Sequence, residues 1–572
     1  MKNAIRIFLP LILTFVSVCA CSLKEDTLPF VNQDSYYKNE AQCRSVVNGC
    51  YIEIHNIYNS DMALLTETCT DLMYNENTTV DAHLEVSPSK PQYGATIWKR
   101  AYRGVNLCND AIACIDATPH ISDSLKRVFT AECRVMRAMY YYILTNTFDG
   151  VPYYTCQVKT HAVQDSIRFL ERTPADTIRY RLYNDLKDNA LPYFTEKNGL
   201  KVKAKQTPDG RSGYAHALML MAKFAMWYKD WDGALEPLQA LEELYGRYTP
   251  EDGDSFGKDY PIDNIRWSYK DKAKNEVIYE IQHEYDITGI KKYSNLAMIM
   301  MPNRGTDAET GKFLWDGVDF GDTYGNTMPG RRVTRVNPMF ASFRPYGNPD
   351  KDGKGVTSTS VNCVFGSENL PLEVDLSKKS GRDNAYGVKL MPDQLLTKDR
   401  RTRLNFATGN WETGQVCNYL FKEGYFYVGE KFWCPDILLN YDSNNYKIFR
   451  YADALLMMAE CWFRKGDDQK ARDYIDVVRI RAGLPGMEQL TGQDLMEAIV
   501  VERAKELFGE YHRKWDLVRW GIWYDRTKTY NNYSKLKEHM RPCHEYYPIP
   551  DAQCALSGYK LDNPAYKNDG LN

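Results

Sequence analysis

The chain lacks the local signatures of the common catalytic chemistries. Its nine histidines form no HExxH pair, no GxSxG elbow or phosphate loop occurs, and no two of its 15 cysteines stand as CxxC. Zinc hydrolases, elbow-type serine hydrolases and P-loop enzymes are therefore unsupported. Charge of one sign is missing too. With 72 Lys and Arg against 75 Asp and Glu, the net charge is −3, which gives no basic face for nucleic acid. Carboxylate pairs such as Glu67 and Asp71 arise by chance among 75 acidic residues, and spacing alone does not make a glycosidase pair. The reading is a protein that is not an enzyme, with no cofactor, no metal ligands and no nucleic-acid partner.

No apolar run is long enough to span a bilayer as a helix. The best, Ile7 to Val18, has twelve residues and follows Lys2 and Arg6, the pattern of a cleaved export signal. Residues 1–20 are read as that signal peptide. The run closes on Val18-Cys19-Ala20-Cys21, which resembles the lipobox of bacterial lipoproteins. Cys21 is the expected lipidation site because the small Ala20 precedes it, whereas the bulkier Val18 precedes Cys19. Ser22-Leu23-Lys24-Glu25-Asp26 is similar to the export signal of Bacteroidota surface lipoproteins, and residues 21–40 are read as a tether. Without Cys19 and Cys21 the cysteines number 13. An odd count at irregular spacing in a long chain predicts buried thiols rather than a disulfide framework.

What the chain has in quantity is aromatics: 42 tyrosines and 11 tryptophans among 572 residues. Tyr and Trp offer a flat apolar face with a polar handle, a weak pointer to carbohydrate once core demand is met. Helical periodicity is plain. Trp98, Tyr102, Val105, Cys108, Ile112 and Ile115 recur on one face. A second helix over Leu125 to Thr147 stops at Phe148-Asp149-Gly150-Val151-Pro152. Two later blocks, Ala215 to Leu244 and Tyr451 to Ala482, each break midway at a polar turn and resemble the tetratricopeptide pattern. They lie too far apart in sequence for a uniform solenoid. Residues 286–445 differ, holding 17 of the 36 glycines. Their aromatics argue against disorder, so they are read as an irregular lobe with short strands such as Val277 to Gln282 leading into it.

Taken in order, these blocks resemble the SusD/RagB lipoproteins of Bacteroidota. The matching pieces are Ala41 to Tyr51 (AQCRSVVNGCY), Trp98 to Ile112 (WKRAYRGVNLCNDAI) and Ala131 to Pro152 (AECRVMRAMYYYILTNTFDGVP). Arg450 to Ala459 (RYADALLMMA), Val478 to Pro485 (VRIRAGLP), Glu502 to Gly521 (ERAKELFGEYHRKWDLVRWG) and Tyr547 to Pro550 (YPIP) complete the set. The resemblance implies a mainly α fold with tetratricopeptide-like helix pairs and the glycine-rich lobe. It divides the chain into an N-terminal helical region (41–285), a ligand-binding lobe (286–445) and a C-terminal helical region (446–572). It further implies a lipid-anchored, cell-surface lid on the outer membrane. Such a lid captures oligosaccharides or polysaccharides and passes them to a SusC-like TonB-dependent transporter, with oligopeptide uptake as the alternative and a surface hydrolase a remoter one.

In that family the ligand face is formed by the loop between the first two long helices and by the lobe. Here the loop is Thr68 to Pro91, whose Asp71, Tyr74, Asn75 and His83 supply polar and aromatic groups without helical period. In the lobe, Tyr285, Trp315, Phe320 and Tyr324 sit among glycines, where a ring can project. Trp98, Trp227, Trp462, Trp515 and Trp520 are assigned to packing. Arg331, Arg332 and Arg335 are read as a solvated basic turn, with contact to anionic sugars as the alternative.

Overall fold

The computed structural model describes residues 37–76, 80–268, 270, 274–284, 293–301, 334–337, 399–407, 426–434, 441–487, 489–531 and 533–571, with four further short strands. The chain enters through α1 (Glu40–Gly49), where Asn39 Oδ1 accepts a hydrogen bond from the Gln42 amide at 3.0 Å, and α2 (Ile52–Ile57). Two long helices follow, α3 (Tyr93–Ala117) and α4 (Asp123–Phe148). Ser122 caps α4 by accepting from the Leu125 amide, which satisfies one of the free N–H groups at a helix start. The apolar face expected on α3 is the buried one: Trp98, Val105, Cys108, Ile112 and Ile115 lie in the core and Tyr102 is half-buried against it. Gly104 lets the two helices approach. A Cβ there would lie 2.2 Å from Tyr140 Cζ.

From α4 the helices pack in succession: α5 (Ala175–Asn189), α6 (Tyr214–Trp227), α7 (Trp231–Tyr245), α8 (Tyr451–Arg464) and α9 (Asp468–Arg481), with α10 (Gly492–Glu506) on α8 and α9. Asp230 and Asp467 cap α7 and α9 by accepting from Gly233 N and Lys470 N. The two hairpins that resemble tetratricopeptide repeats, distant in sequence, are neighbours in space because α7 packs against α8. Trp227 and Trp462 serve this stack, each under a cation: the Arg179 guanidinium and the Lys470 ammonium lie 3.9 Å from their ring centroids.

The strands are short: β1 (Met73–Asn75), β2 (Val277–Ile281), β3 (Arg304–Thr306), β4 (Phe313–Trp315), β5 (Thr334–Val336), β6 (Ser360–Val361), β7 (Leu372–Glu373), β8 (Phe406–Ala407), β9 (Phe426–Val428) and β10 (Tyr446–Arg450). β2 pairs antiparallel with β10, so the chain leaves the helical body and returns to it on adjacent strands. A buried ionic cluster fixes that junction. Arg450 donates to Glu510 (2.8 and 2.9 Å) and Glu506 (3.0 Å) and pairs with Glu276, which Arg481 also meets at 3.0 Å. Arg401, within the lobe segment, joins Asp399 (2.9 Å) to Glu502 and Glu506. Burial alone would raise the Glu506 pKa, but Arg481, Arg450 and Arg401 hold it well below the carboxylate range.

Eleven cysteines fall among the described residues, ten of them buried, and none is in a disulfide. No described helix is long and apolar enough to cross a membrane.

Candidate functional site

The segment after α2 is built by side chains that bond back to their own helix. In a π-helical turn, Leu64–Thr68, the Thr66 and Thr68 hydroxyls donate to Met62 O (2.8 Å) and Leu64 O (2.9 Å). This widened turn directs the chain inward. Glu67 is fully buried, accepts from the Arg513 amide at 3.2 Å, and its Oε2 has no hydrogen-bond partner. Burial pushes its pKa up to about 8 despite the nearby Arg513 and Lys431, so the carboxyl is protonated at neutral pH.

Asp71 follows. It is an internal ion-pair partner and not the exposed carboxylate expected of a ligand group. Helix α11 (Arg513–Arg519) supplies Arg513, which donates Nε to Oδ1 (2.8 Å) and Nη2 to Oδ2 (2.7 Å); helix α12 (Trp523–Tyr530) supplies Arg526, which donates Nε to Oδ2 (2.8 Å). Burial opposes ionisation, but the two guanidiniums outweigh it and hold the Asp71 carboxyl below its usual range.

Within the expected loop, Met73–Asn75 is ordered by strand pairing. β1 aligns antiparallel with β5, Met73 opposite Val336, Tyr74 opposite Arg335 and Asn75 opposite Thr334, within a four-stranded sheet ordered β1-β5-β9-β8. Asn75 Nδ2 donates to Thr334 Oγ1 (3.0 Å), and Arg335 pairs with Glu76 (3.1 Å). Arg335 is buried in this sheet, which corrects its reading as part of a solvated basic turn. The two halves of the expected ligand face, 68–91 and the lobe, thus meet in one sheet with β1 at its edge. Tyr74 stacks on Tyr533, ring centroids 5.2 Å apart and planes 20° apart, and Tyr533 Oη is 3.2 Å from His83 Nε2. Burial lowers the His83 pKa more than Glu85, 3.5 Å away, raises it. Tyr74, Asn75 and His83 are all buried: they form the body of the sheet's support rather than an open platform.

Trp315 lies in β4, opposite Arg304 of β3. Tyr285, Phe320, Tyr324 and Cys21 lie outside the described residues. Sequence reasoning missed Tyr533, Arg513 and Arg526 as partners of the loop. Arg513 stood inside a quoted motif, but nothing in its spacing pointed to Asp71. Among the described residues no group of His, Cys, Asp and Glu has the disposition of a metal site. Glu67 and Asp71 are both fully buried, one protonated and one salt-bridged, which suits structural support rather than acid–base work on a bound substrate.

A sequence profile described as "SusD family" matches residues 407–566, and one described as "Starch-binding associating with outer membrane" matches residues 26–192. The chain belongs to the SusD/RagB family. A SusD-like protein of Formosa agariphila is 26% identical over 96% of both chains. A laminarin-binding SusD-like protein shares the SusD fold at 18% identity and a TM-score of 0.60, covering 91% of this chain and 98% of that one. Surface glycan-binding protein A from Bacteroides thetaiotaomicron, solved with laminarihexaose, does so at 18% identity and a TM-score of 0.56, covering 91% and 99%. The asparagine-bearing α3 and the tyrosine-rich α4 of this SusD-family chain lie within the 26–192 match, and Arg513 and Arg526 within the 407–566 match.

Proposed function

We propose that this SusD-family protein is a glycan-capture lipoprotein without catalytic activity. The carrying observation is the β1–β5 pairing, which brings the 68–91 segment and the lobe together in one sheet. In this reading Trp315, Tyr285, Phe320 and Tyr324 are the ring platforms for the glycan, and Tyr74, Asn75 and His83 support the β1 edge of the sheet. Asp71 acts behind them, holding the segment in place through Arg513 and Arg526. Acylation at Cys21 tethers the protein to the outer membrane at the cell surface, which raises its effective concentration beside a SusC-like TonB-dependent transporter. The laminarin and laminarihexaose named for its structural neighbours make a β-glucan the first ligand to try.

The test is retention of the signal-less protein on a panel of immobilised polysaccharides that includes laminarin, with reducing ends assayed in parallel. Retention without new reducing ends is the expected result. Failure across the panel, or turnover abolished by substitution of one carboxylate, overturns the reading.

A further inference from the structure

Cys50 and Cys133 meet where the first helix packs on the core. Cys50 caps the C-terminus of α1, and Cys133 lies in α4, 83 positions further on. Both side chains are buried, and their sulfurs stand 3.8 Å apart. Polar contacts hold the two in register. Tyr51, next to Cys50, donates its hydroxyl at 2.6 Å to Glu132, the neighbour of Cys133. Arg44 of α1 pairs with the same carboxylate at 2.8 Å. Two turns along α4 from Cys133, Tyr140 donates to the Cys50 carbonyl at 2.7 Å. The backbone is thus fixed on each side of the sulfurs. A disulfide has its sulfurs about 2.05 Å apart, so about 1.8 Å has to close. Two side chains can share that movement by turning about χ1 with both helices in place.

Burial decides when such a bond can form. Cys108, which also borders Cys50, and burial raise the Cys50 thiol well above its ordinary pKa, and contact with Cys50 together with burial does the same for Cys133. Disulfide exchange needs the thiolate and a path for the oxidant. The docked helices deny both, so the bond has to form while the chain folds, before α1 closes on α4. Compartment then matters. The cytosol keeps thiols reduced, whereas compartments outside the inner membrane are oxidising. An odd number of cysteines at irregular spacing speaks against a framework of several disulfides and leaves room for one.

We propose that Cys50 and Cys133 form a disulfide in the exported protein, which ties α1, the helix that follows the membrane tether, to α4. The bond rests on the reading of residues 1–20 as an export signal. One of the two thiolates attacks the disulfide of a dithiol–disulfide oxidant, and the other resolves the mixed disulfide. One S–S bond forms in this chain and one breaks in the oxidant, which leaves as a dithiol with the two electrons and two protons. A pull on the tether enters the fold through α1, and the bond passes it to α4. Closing a long loop also restricts the unfolded chain, so the oxidised protein resists unfolding better than the reduced one.

The experiment starts from protein recovered from the outer membrane of cells that make the full chain. It is unfolded in urea with iodoacetamide and no reductant, digested with trypsin and chymotrypsin, and mapped by mass spectrometry. The expected product is one linked pair of peptides carrying Cys50 and Cys133, with Cys108 alkylated. Signal-less protein made in the cytosol should show both cysteines alkylated. It should gain the link when refolded from urea with oxidised glutathione, and not when the glutathione is added after folding. The linked protein should unfold at higher urea concentration than the reduced one, a difference that Cys50→Ala removes. Alkylated Cys50 and Cys133 in protein from the outer membrane, a link to Cys108, or equal midpoints with and without the bond overturns the pair. If fractionation finds the full chain in the cytosol, the export reading falls, and the refolding arm alone decides the bond: no link there overturns it.

Discussion

Asp71 and Arg513 close a two-bonded ion pair across 442 positions of sequence, at 2.8 and 2.7 Å. Arg526 adds a third bond at 2.8 Å. Asp71 lies in the profile-matched segment 26–192 and both arginines in 407–566, so this carboxylate fastens the two matched segments together. Asp71→Asn would remove the buried counter-charge of Arg513, while Arg526 keeps Glu497 at 2.7 and 3.0 Å. Breaking a buried pair from one side costs about 3–5 kcal/mol. Urea denaturation should show a loss of that order, and an unchanged midpoint would rule out the structural role.

Glu67 gives the fold a pH dependence of defined sign. Its pKa in the folded protein is raised to about 8 by burial, above the unfolded value of about 4.3. Between those values the native state holds a proton that the unfolded state has released, so stability falls as pH rises through the window. Glu67→Gln keeps an oxygen to accept from the Arg513 amide and has no proton to lose. The substituted protein should gain on the wild type by up to ~1.4 kcal/mol per pH unit in that range. Parallel stability curves from pH 5 to pH 8 (a span of about three units around neutrality) would refute this.

How much of this was legible in the sequence follows from the range of each interaction. The apolar face of α3 and the hairpins of α6–α7 and α8–α9 were readable because a helix makes its contacts at steps of three and four. The stacking of α7 on α8 was not, since the strands that reunite the chain across the lobe lie far apart in sequence. β1 spans three residues, too few to show alternation, and it exists because β5 pairs with it. The expected loop therefore hid a strand. Asp71 was chosen as a ligand group for its polarity, and its partners, more than 400 positions away, leave no periodic trace.

The close approach of α3 and α4 at Gly104 supplies a third prediction. A Cβ at that position would lie 2.2–2.4 Å from three atoms of the Tyr140 ring. Tyr140 has little freedom to retreat, being fully buried with its hydroxyl donating to Cys50 O at 2.7 Å. Gly104→Ala gains helix propensity, about 1 kcal/mol, but must force the ring or the helices apart, and overpacking of a dense core costs about 1–3 kcal/mol or more. The steric term wins, and the melting temperature should fall. Restoration by the double variant Gly104→Ala, Tyr140→Phe, which frees the ring from its hydrogen bond, would show that the tyrosine is the obstacle.

Trp315 separates capture from folding. It sits in a three-residue strand whose partner, among the described residues, is β3. If it is a platform for a sugar ring, Trp315→Ala should weaken polysaccharide binding by about 1–3 kcal/mol, the scale of stacking on an aromatic face, and leave the melting temperature nearly unchanged. If it is a packing residue, the melting temperature falls and the affinity of the folded fraction stays. Measuring both on one preparation decides between them, because the Asp71 and Gly104 variants set the reference: they should lower stability while the folded fraction still binds. A Trp315 variant that behaves as they do would remove β4 from the ligand face.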